Sequence, residues 1–177
     1  MLKWPNVPSV YGWLELDRRG DWRVKGASGA FGRITNAAVV DFIGRNYAAD
    51  AEGRWYFQNG PQRVYVSLAY TPWVWRLDDA GRRLVSHTGA RAGDIRAAFF
   101  DESGALVLDT ALGIGVVSDR ELAAIAAEVP ESVAGGRAAE CSLLGVRVRI
   151  APIRSADLAP RYGFVPRPAP RPGEPEC

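Results

Sequence analysis

Asp-x-x-Gly turns punctuate this chain at four places, Asp17–Gly20, Asp50–Gly53, Asp78–Gly81 and Asp101–Gly104, each between short apolar runs. In such a turn the Asp carboxylate accepts a backbone N–H two residues on, and the Gly takes the left-handed conformation that closes the reversal. A sequence reversed this often can hold only short strands. Residues 13–16 and 22–25 flank the first turn, 73–77 and 83–86 the third, and 98–100 and 105–108 the fourth. The local pattern therefore predicts hairpins throughout.

Between the second and third turns lies the most aromatic stretch, Gly53 to Arg76, with seven of the eighteen aromatic residues and no charge between Arg63 and Arg76. Residues 55–57 and 64–70 are β-branched and aromatic and read as strands. Gln58-Asn59-Gly60-Pro61-Gln62-Arg63 supplies the turn, giving a hairpin with an apolar body and a polar tip. Thr71-Pro72 bends the end of the second strand, because Pro donates nothing to a ladder.

Two helices interrupt the strands. After the glycine-rich bend 26–32, Thr35 opens a helix with Val39, Phe42, Ile43 and Tyr47 at helical spacing, an apolar stripe for a sheet. The second is predicted over 118–129, where Ser118 and Glu121 have the spacing of a capping box. A separation of 83 residues relates the two: Gly32-Arg-Ile-Thr35 falls on Gly115-Val-Val-Ser118, and Val39, Phe42 and Ile43 on Leu122, Ile125 and Ala126. Val146, Val148 and Ile150 alternate as Val64, Val66 and Leu68 do, one residue out of step. The expected fold class is α+β, with two tandem β-β-α-β-β units whose antiparallel sheets each pack one helix. The expected division is an N-terminal arm at 1–12, a first unit with an extra hairpin at 13–90, a second unit at 91–159, and a proline-rich tail at 160–177 that is disordered or polyproline.

At 177 residues and 47% hydrophobic content, the composition is that of a soluble globular protein. No apolar run approaches the length of a membrane span, and no secretory signal is visible, so the expectation is a cytoplasmic protein without membrane contact. Cys141 and Cys177 do not form a disulfide framework. A net charge of +2, with no aromatic RNA-binding motif, does not point to nucleic acid.

Gly53-Arg-Trp-Tyr-Phe-Gln-Asn-Gly-Pro-Gln-Arg-Val-Tyr-Val66 is followed by Thr71-Pro72-Trp73 and preceded by Gly12-Trp13-Leu14 and Gly20-Asp21-Trp22-Arg23. On these residues the chain resembles a family of uncharacterised bacterial proteins of similar length, a domain of unknown function, over residues 12 to about 165. It is more loosely similar to a second uncharacterised bacterial family with Gly-x-Trp, a helix and a Trp-rich strand ending in a Pro turn. The resemblance implies a compact α+β protein and no activity, cofactor or catalytic residue.

Chemistry-bearing patterns are few. One His, His87, reads as an ordinary loop residue, and with two distant Cys it cannot supply a nitrogen and sulfur metal site, so neither metal nor cofactor is expected. Gly113-Ile-Gly115-Val-Val-Ser118 lacks the last Gly of a dinucleotide fingerprint and reads as a turn into a capped helix. Gly26–Arg33 has no phosphate-loop Lys, although free N–H groups at the following helix start, with Arg33, suit an anion. Ser28, Ser67 and Ser118 sit in no nucleophile motif, and no catalytic residue is assigned.

The hairpin tip differs. Gln58, Asn59, Gln62 and Arg63 gather amide and guanidinium donors beside Trp55, Tyr56 and Tyr65. Side chains alternate along strands, so Arg54, Tyr56 and Gln58 share one face, and Arg63 and Tyr65 share the facing one. Planar polar groups framed by rings suit a carboxylate, a phosphate or a base edge. The candidate ligand-binding set is Arg54, Tyr56, Gln58, Asn59, Gln62, Arg63 and Tyr65. The expected function is a non-catalytic module for a small polar or anionic ligand or a protein segment. The alternatives are a metal-free enzyme with an Arg/Asp/Gln site and a structural protein that forms homodimers through strand edges.

Overall fold

A computed structural model describes residues 9–125, 129–130, 133 and 137–173. The chain forms an α+β protein, mostly β, with two sheets. It divides into two units. The first comprises the described residues up to Asp17, Asp21–Tyr70 and residues 163–173; the second comprises Arg18–Gly20 and the described residues of Thr71–Tyr162.

The first unit runs β1 (Val10–Leu16), β2 (Trp22–Lys25), β3 (Phe31–Arg33), α1 (Ala37–Arg45), β4 (Tyr47–Ala49), β5 (Trp55–Asn59) and β6 (Gln62–Leu68). Its six strands are ordered β3-β2-β1-β6-β5-β4. Leu14, Leu16, Trp22, Val66 and Leu68 alternate toward one face and are buried there. Ile43 of α1 and Tyr47 of β4 are buried as well, and the Trp22 ring meets Tyr47 edge-on at 5.2 Å. Asn36, not Thr35, caps α1: its Oδ1 accepts the Ala38 and Val39 N–H groups at 3.0 and 3.2 Å. The anion-binding start expected here is thus satisfied by its own cap, and Arg33 pairs with Asp21 at 3.0 Å. Of the predicted helix stripe, Ile43 is buried while Val39 and Phe42 stay 42% and 39% exposed.

The second unit contains β7 (Trp73–Leu77), β8 (Leu84–Ser86), β9 (Ile95–Phe100), β10 (Leu106–Thr110), β11 (Ile114–Val117), α2 (Asp119–Ile125), β12 (Ala139–Leu143), β13 (Val146–Pro152) and α3 (Ser155–Tyr162). The seven-stranded order is β12-β13-β9-β10-β11-β7-β8. Trp75, Ala98, Leu106, Val107, Leu108 and Ile150 are wholly or almost wholly buried. The Trp75 indole N–H donates to the Leu108 carbonyl at 3.2 Å. A Cβ on Gly115 would lie 2.5 Å from that indole, and one on Gly113 3.0 Å from the Trp73 indole. Close packing against two tryptophans therefore accounts for Gly-x-Gly.

All four Asp-x-x-Gly turns form. Their glycines have φ of 81°, 76°, 67° and 79°, and each Asp carboxylate accepts backbone N–H groups. The sheets nonetheless differ from the antiparallel expectation. β1 pairs with β6, β9 with β13, and β11 with β7 in parallel. Hairpin rules govern neighbours in sequence, whereas a strand that returns after a long intervening segment, with a helix between β1 and β6 and between β9 and β13 and strands alone between β7 and β11, can lie alongside the first in the same direction. Three strands, not two, precede α1 in the first unit, because Phe31–Arg33 pairs with β2, and in the second unit β9, β10 and β11 run up to α2 in the same way, after the β7–β8 hairpin. The two sheets share the order β3-β2-β1-β6-β5 and β11-β10-β9-β13-β12, each with its parallel pair in the middle.

Several expected boundaries move. Residues 10–12 belong to β1 rather than to an arm, while residues 1–8 of that arm lie outside the described residues. The β7–β8 hairpin, expected in the first unit, extends the second sheet through the β7–β11 pair. The predicted 118–129 helix is observed over Asp119–Ile125, with 126–128 outside the described residues. No capping box forms among the described residues: the buried Ser118 Oγ has no hydrogen-bond partner among them, and the Ser118 N–H instead extends the sheet by donating to the Trp75 carbonyl at 2.9 Å.

The 160–177 segment is not a free tail over its described part. Pro160 lies inside α3, and Val165 bridges to Arg54 in parallel. The Val165 N–H donates to the Gly53 carbonyl at 2.9 Å and the Leu68 N–H to the Pro166 carbonyl at 2.7 Å, while Phe164 and Pro168 are buried. Apolar side chains within a proline-rich composition give this segment a face to bury; residues 174–177 lie outside the described residues. His87 is buried too, with its ring 5.8 Å from that of Trp73 and its Nδ1 facing the Val74 N–H at 3.4 Å.

Candidate functional site

The β5–β6 hairpin is tighter than its composition suggests. The strands pair through Asn59↔Gln62, leaving a two-residue loop, Gly60-Pro61, with Gly60 at a φ of 57°. Positive φ at the first loop position followed by Pro suits the type II′ connection that matches strand twist. Gln58 and Arg63 are thereby drawn into the ladder as a pair. The Gln58 amide donates to the Gly60 and Gln62 carbonyls at 2.7 and 3.2 Å, so it braces the turn.

Alternation places Arg54, Tyr56 and Gln58 on the sheet face of Arg63 and Tyr65, and the pairs Tyr56↔Tyr65 and Gln58↔Arg63 bring them together. The Tyr56 and Tyr65 rings meet edge-on at 5.8 Å. Tyr65 stacks on Tyr11 of β1, with centroids 4.5 Å apart and planes 5° from parallel. The Arg63 guanidinium carbon stands 4.5 Å from the Tyr56 ring centre. Arg63 and Asn59 are exposed, and Tyr56, Gln58 and Gln62 are half-buried.

Arg54 is turned inward and is only 7% exposed. Its Nε donates to Asp50 Oδ2 at 2.8 Å and lies 3.4 Å from Glu52; its two terminal nitrogens reach the Tyr65 and Tyr11 hydroxyls at 3.1 and 3.4 Å. Asp50 completes the cluster. Oδ1 accepts the Glu52 and Arg54 N–H groups, both at 3.0 Å, and Oδ2 also accepts the Tyr65 hydroxyl at 3.1 Å. Burial opposes the Asp50 charge, but the Arg54 N–H, the guanidinium and the Glu52 N–H outweigh it and hold the carboxyl below its ordinary value. The same exchange raises Arg54: burial disfavours its charge, and the hydrogen bond to Asp50 with the neighbouring oxygens more than compensates.

Asp50 therefore closes a turn and neutralises a buried cation with one carboxylate. Its turn role is legible in Asp-x-x-Gly; its pairing with Arg54 could be suspected only from the i, i+4 spacing. Tyr11 carries no such signal, since it reaches the cluster through the non-local β1–β6 pair. The hairpin face thus has two parts, a braced interior of Asp50, Arg54, Tyr65 and Tyr11 and an accessible rim of Tyr56 and Arg63, while the Asn59↔Gln62 pair at the turn falls on the opposite face, apart from the other residues of the expected set. Among the described residues no cluster of three or more His, Cys, Asp or Glu could hold a metal, and no helix is long and apolar enough to cross a membrane.

These features define a class, a mostly β α+β protein of two mixed sheets, one carrying a hairpin face braced by a buried arginine–carboxylate pair. None of the curated proteins matches the chain. The chain belongs to the family described as "Protein of unknown function (DUF2946)", whose model matches residues 1–169. Among solved structures it is similar to a DUF1285 family protein from Silicibacter pomeroyi DSS-3, at 18% identity, with a TM-score of 0.50 and 86% of each chain covered. That likeness bears on the fold alone. A DUF1285 family protein from Shewanella baltica OS155 matches at 14% identity and a TM-score of 0.43, over 65% of this chain and 87% of its own.

Proposed function

We propose that the protein is a non-catalytic binding module whose hairpin rim takes a small oxyanion, a carboxylate or a phosphate ester, through Arg63. The observation that carries this reading is the seat of Arg63. Its guanidinium lies against the Tyr56 ring, is exposed, and has no carboxylate within ion-pair distance among the described residues. A guanidinium held on a ring keeps its N–H edge available for bidentate contact at reduced entropic cost. Gln58 is its cross-strand partner, and the Asp50–Arg54–Tyr65–Tyr11 cluster braces the strands that carry it. In this reading Arg54 and Tyr65 position the rim and Gln58 sets its turn.

The common strand order of the two sheets supports reading the units as an internal duplication. The second unit then places Leu144-Gly145 where the first has its polar tip, so the scaffold itself does not demand the tip's side chains. A screen of carboxylate and phosphate metabolites, following thermal midpoint and product formation together, tests the function. Stabilisation without turnover that is lost in Arg63→Ala is expected. Turnover indicates an enzyme, and equal stabilisation of Arg63→Ala and wild type removes Arg63 from the site.

A further inference from the structure

A cavity of about 460 Å³ in the second unit is lined by the exposed Arg82, Arg83 and Arg91 together with apolar Leu84, Ile95, Leu144 and Val146. Asp94 is the one carboxylate on its wall, and among the described residues none of the three guanidiniums has a carboxylate within ion-pair distance. A second observation comes from the backbone. Leu143↔Val146 closes the β12–β13 hairpin around two residues, Leu144 and Gly145, with φ of 52° and 78°. Positive φ at both loop positions defines a type I′ connection, whose first position favours Asn, Asp or Gly. Leu144 is the only non-glycine residue with positive φ among those described. Such strain on a bulky residue calls for a reason, and core packing does not supply one, because Leu144 is only half-buried and Val146 next to it is 45% exposed. What both side chains do is line, with hydrocarbon, the cavity that the three arginines also line.

We infer that this cavity binds a single-chain amphiphilic anion, its carboxylate or phosphate head on the arginines and its alkyl tail against Leu84, Ile95, Leu144 and Val146. The volume suits such a ligand, and an apolar pocket with a few convergent polar groups is the usual form of a small-molecule site. The site is separate from the hairpin rim and does not depend on it.

Calorimetric titration of the whole protein with decanoate, below its micellar concentration, reads the binding directly. Decanol removes the head charge, decyltrimethylammonium reverses it and acetate removes the tail; each should bind at least ~10-fold more weakly, and decanoate should weaken with added salt. Leu144→Asn is the decisive variant, because Asn tolerates the left-handed backbone but deletes the apolar wall. It should raise the thermal midpoint by about 2–4 °C while weakening decanoate at least ~10-fold. Wild-type decanoate affinity in Leu144→Asn, or equal affinity for decanol or acetate, overturns the proposal. A lipid source is distinguished by flotation with phosphatidylglycerol vesicles. Binding to vesicles that persists in Leu144→Asn makes the arginines a membrane-surface patch and overturns the cavity reading, while its loss in that variant supports a single chain drawn from the bilayer.

Discussion

Gly53 offers a direct test of how the C-terminal segment docks. Gly53 and Gly104 close the same kind of turn at φ of 76° and 79°, so replacing either by Ala imposes the same left-handed penalty, about 1–2 kcal/mol. Their surroundings differ. A Cβ on Gly104 would meet nothing within 4 Å, whereas one on Gly53 would lie 1.9 Å from the Gly163 carbonyl oxygen and 3.1 Å from the Phe164 Cα. Backbone cannot yield as a flexible side chain does, so residues 163–166 must shift, with the Val165 N–H bond to Gly53 and the burial of Phe164 at stake. Overpacking of this kind costs about 1–3 kcal/mol. Gly53→Ala should therefore destabilise by about 2–5 kcal/mol and Gly104→Ala by about 1–2. Urea unfolding followed by tryptophan fluorescence measures both, and chymotrypsin cleavage after Phe164 should accelerate only in Gly53→Ala. Equal losses in the two variants, or unchanged protection of Phe164, would refute the docking argument.

Two further perturbations probe buried charge. Arg54→Met leaves the Asp50 carboxylate buried with its N–H and Tyr65 partners but without its cation, so a loss of about 3 kcal/mol is expected by urea titration; a loss below about 1 kcal/mol would show that the cluster adds little. His87 is pushed down to about 3 by burial and by the nearby Arg76 charge, so the folded state binds fewer protons than the unfolded state below the ordinary value of 6.5. Its contribution is full above pH 6.5 and is lost progressively as pH falls toward 3, by up to about 4–5 kcal/mol. Stability measured at intervals from pH 7 to 4 should fall, and His87→Gln should flatten that slope. Asp50 adds its own loss only below the ordinary carboxylate value, at the acid end of the range.

Features decided within a few residues are legible in the chain alone. The four Asp-x-x-Gly reversals are written in one carboxylate and one left-handed glycine each, and the hairpin face follows from alternation, which groups Arg54, Tyr56 and Gln58 with Arg63 and Tyr65 wherever the strands go. The remaining features emerge on folding, because they depend on partners far apart in the chain. The parallel β1–β6 pair brings Tyr11 onto Tyr65, and that contact, with Asp50, turns Arg54 from an expected ligand donor into an internal brace. The β7–β8 hairpin joins the second sheet because β11 offers it an edge, and residues 163–168 settle on the first unit where Gly53 leaves room for a carbonyl. Such contacts are selected by the burial of apolar area and the satisfaction of backbone groups across the whole unit, quantities that no local pattern encodes.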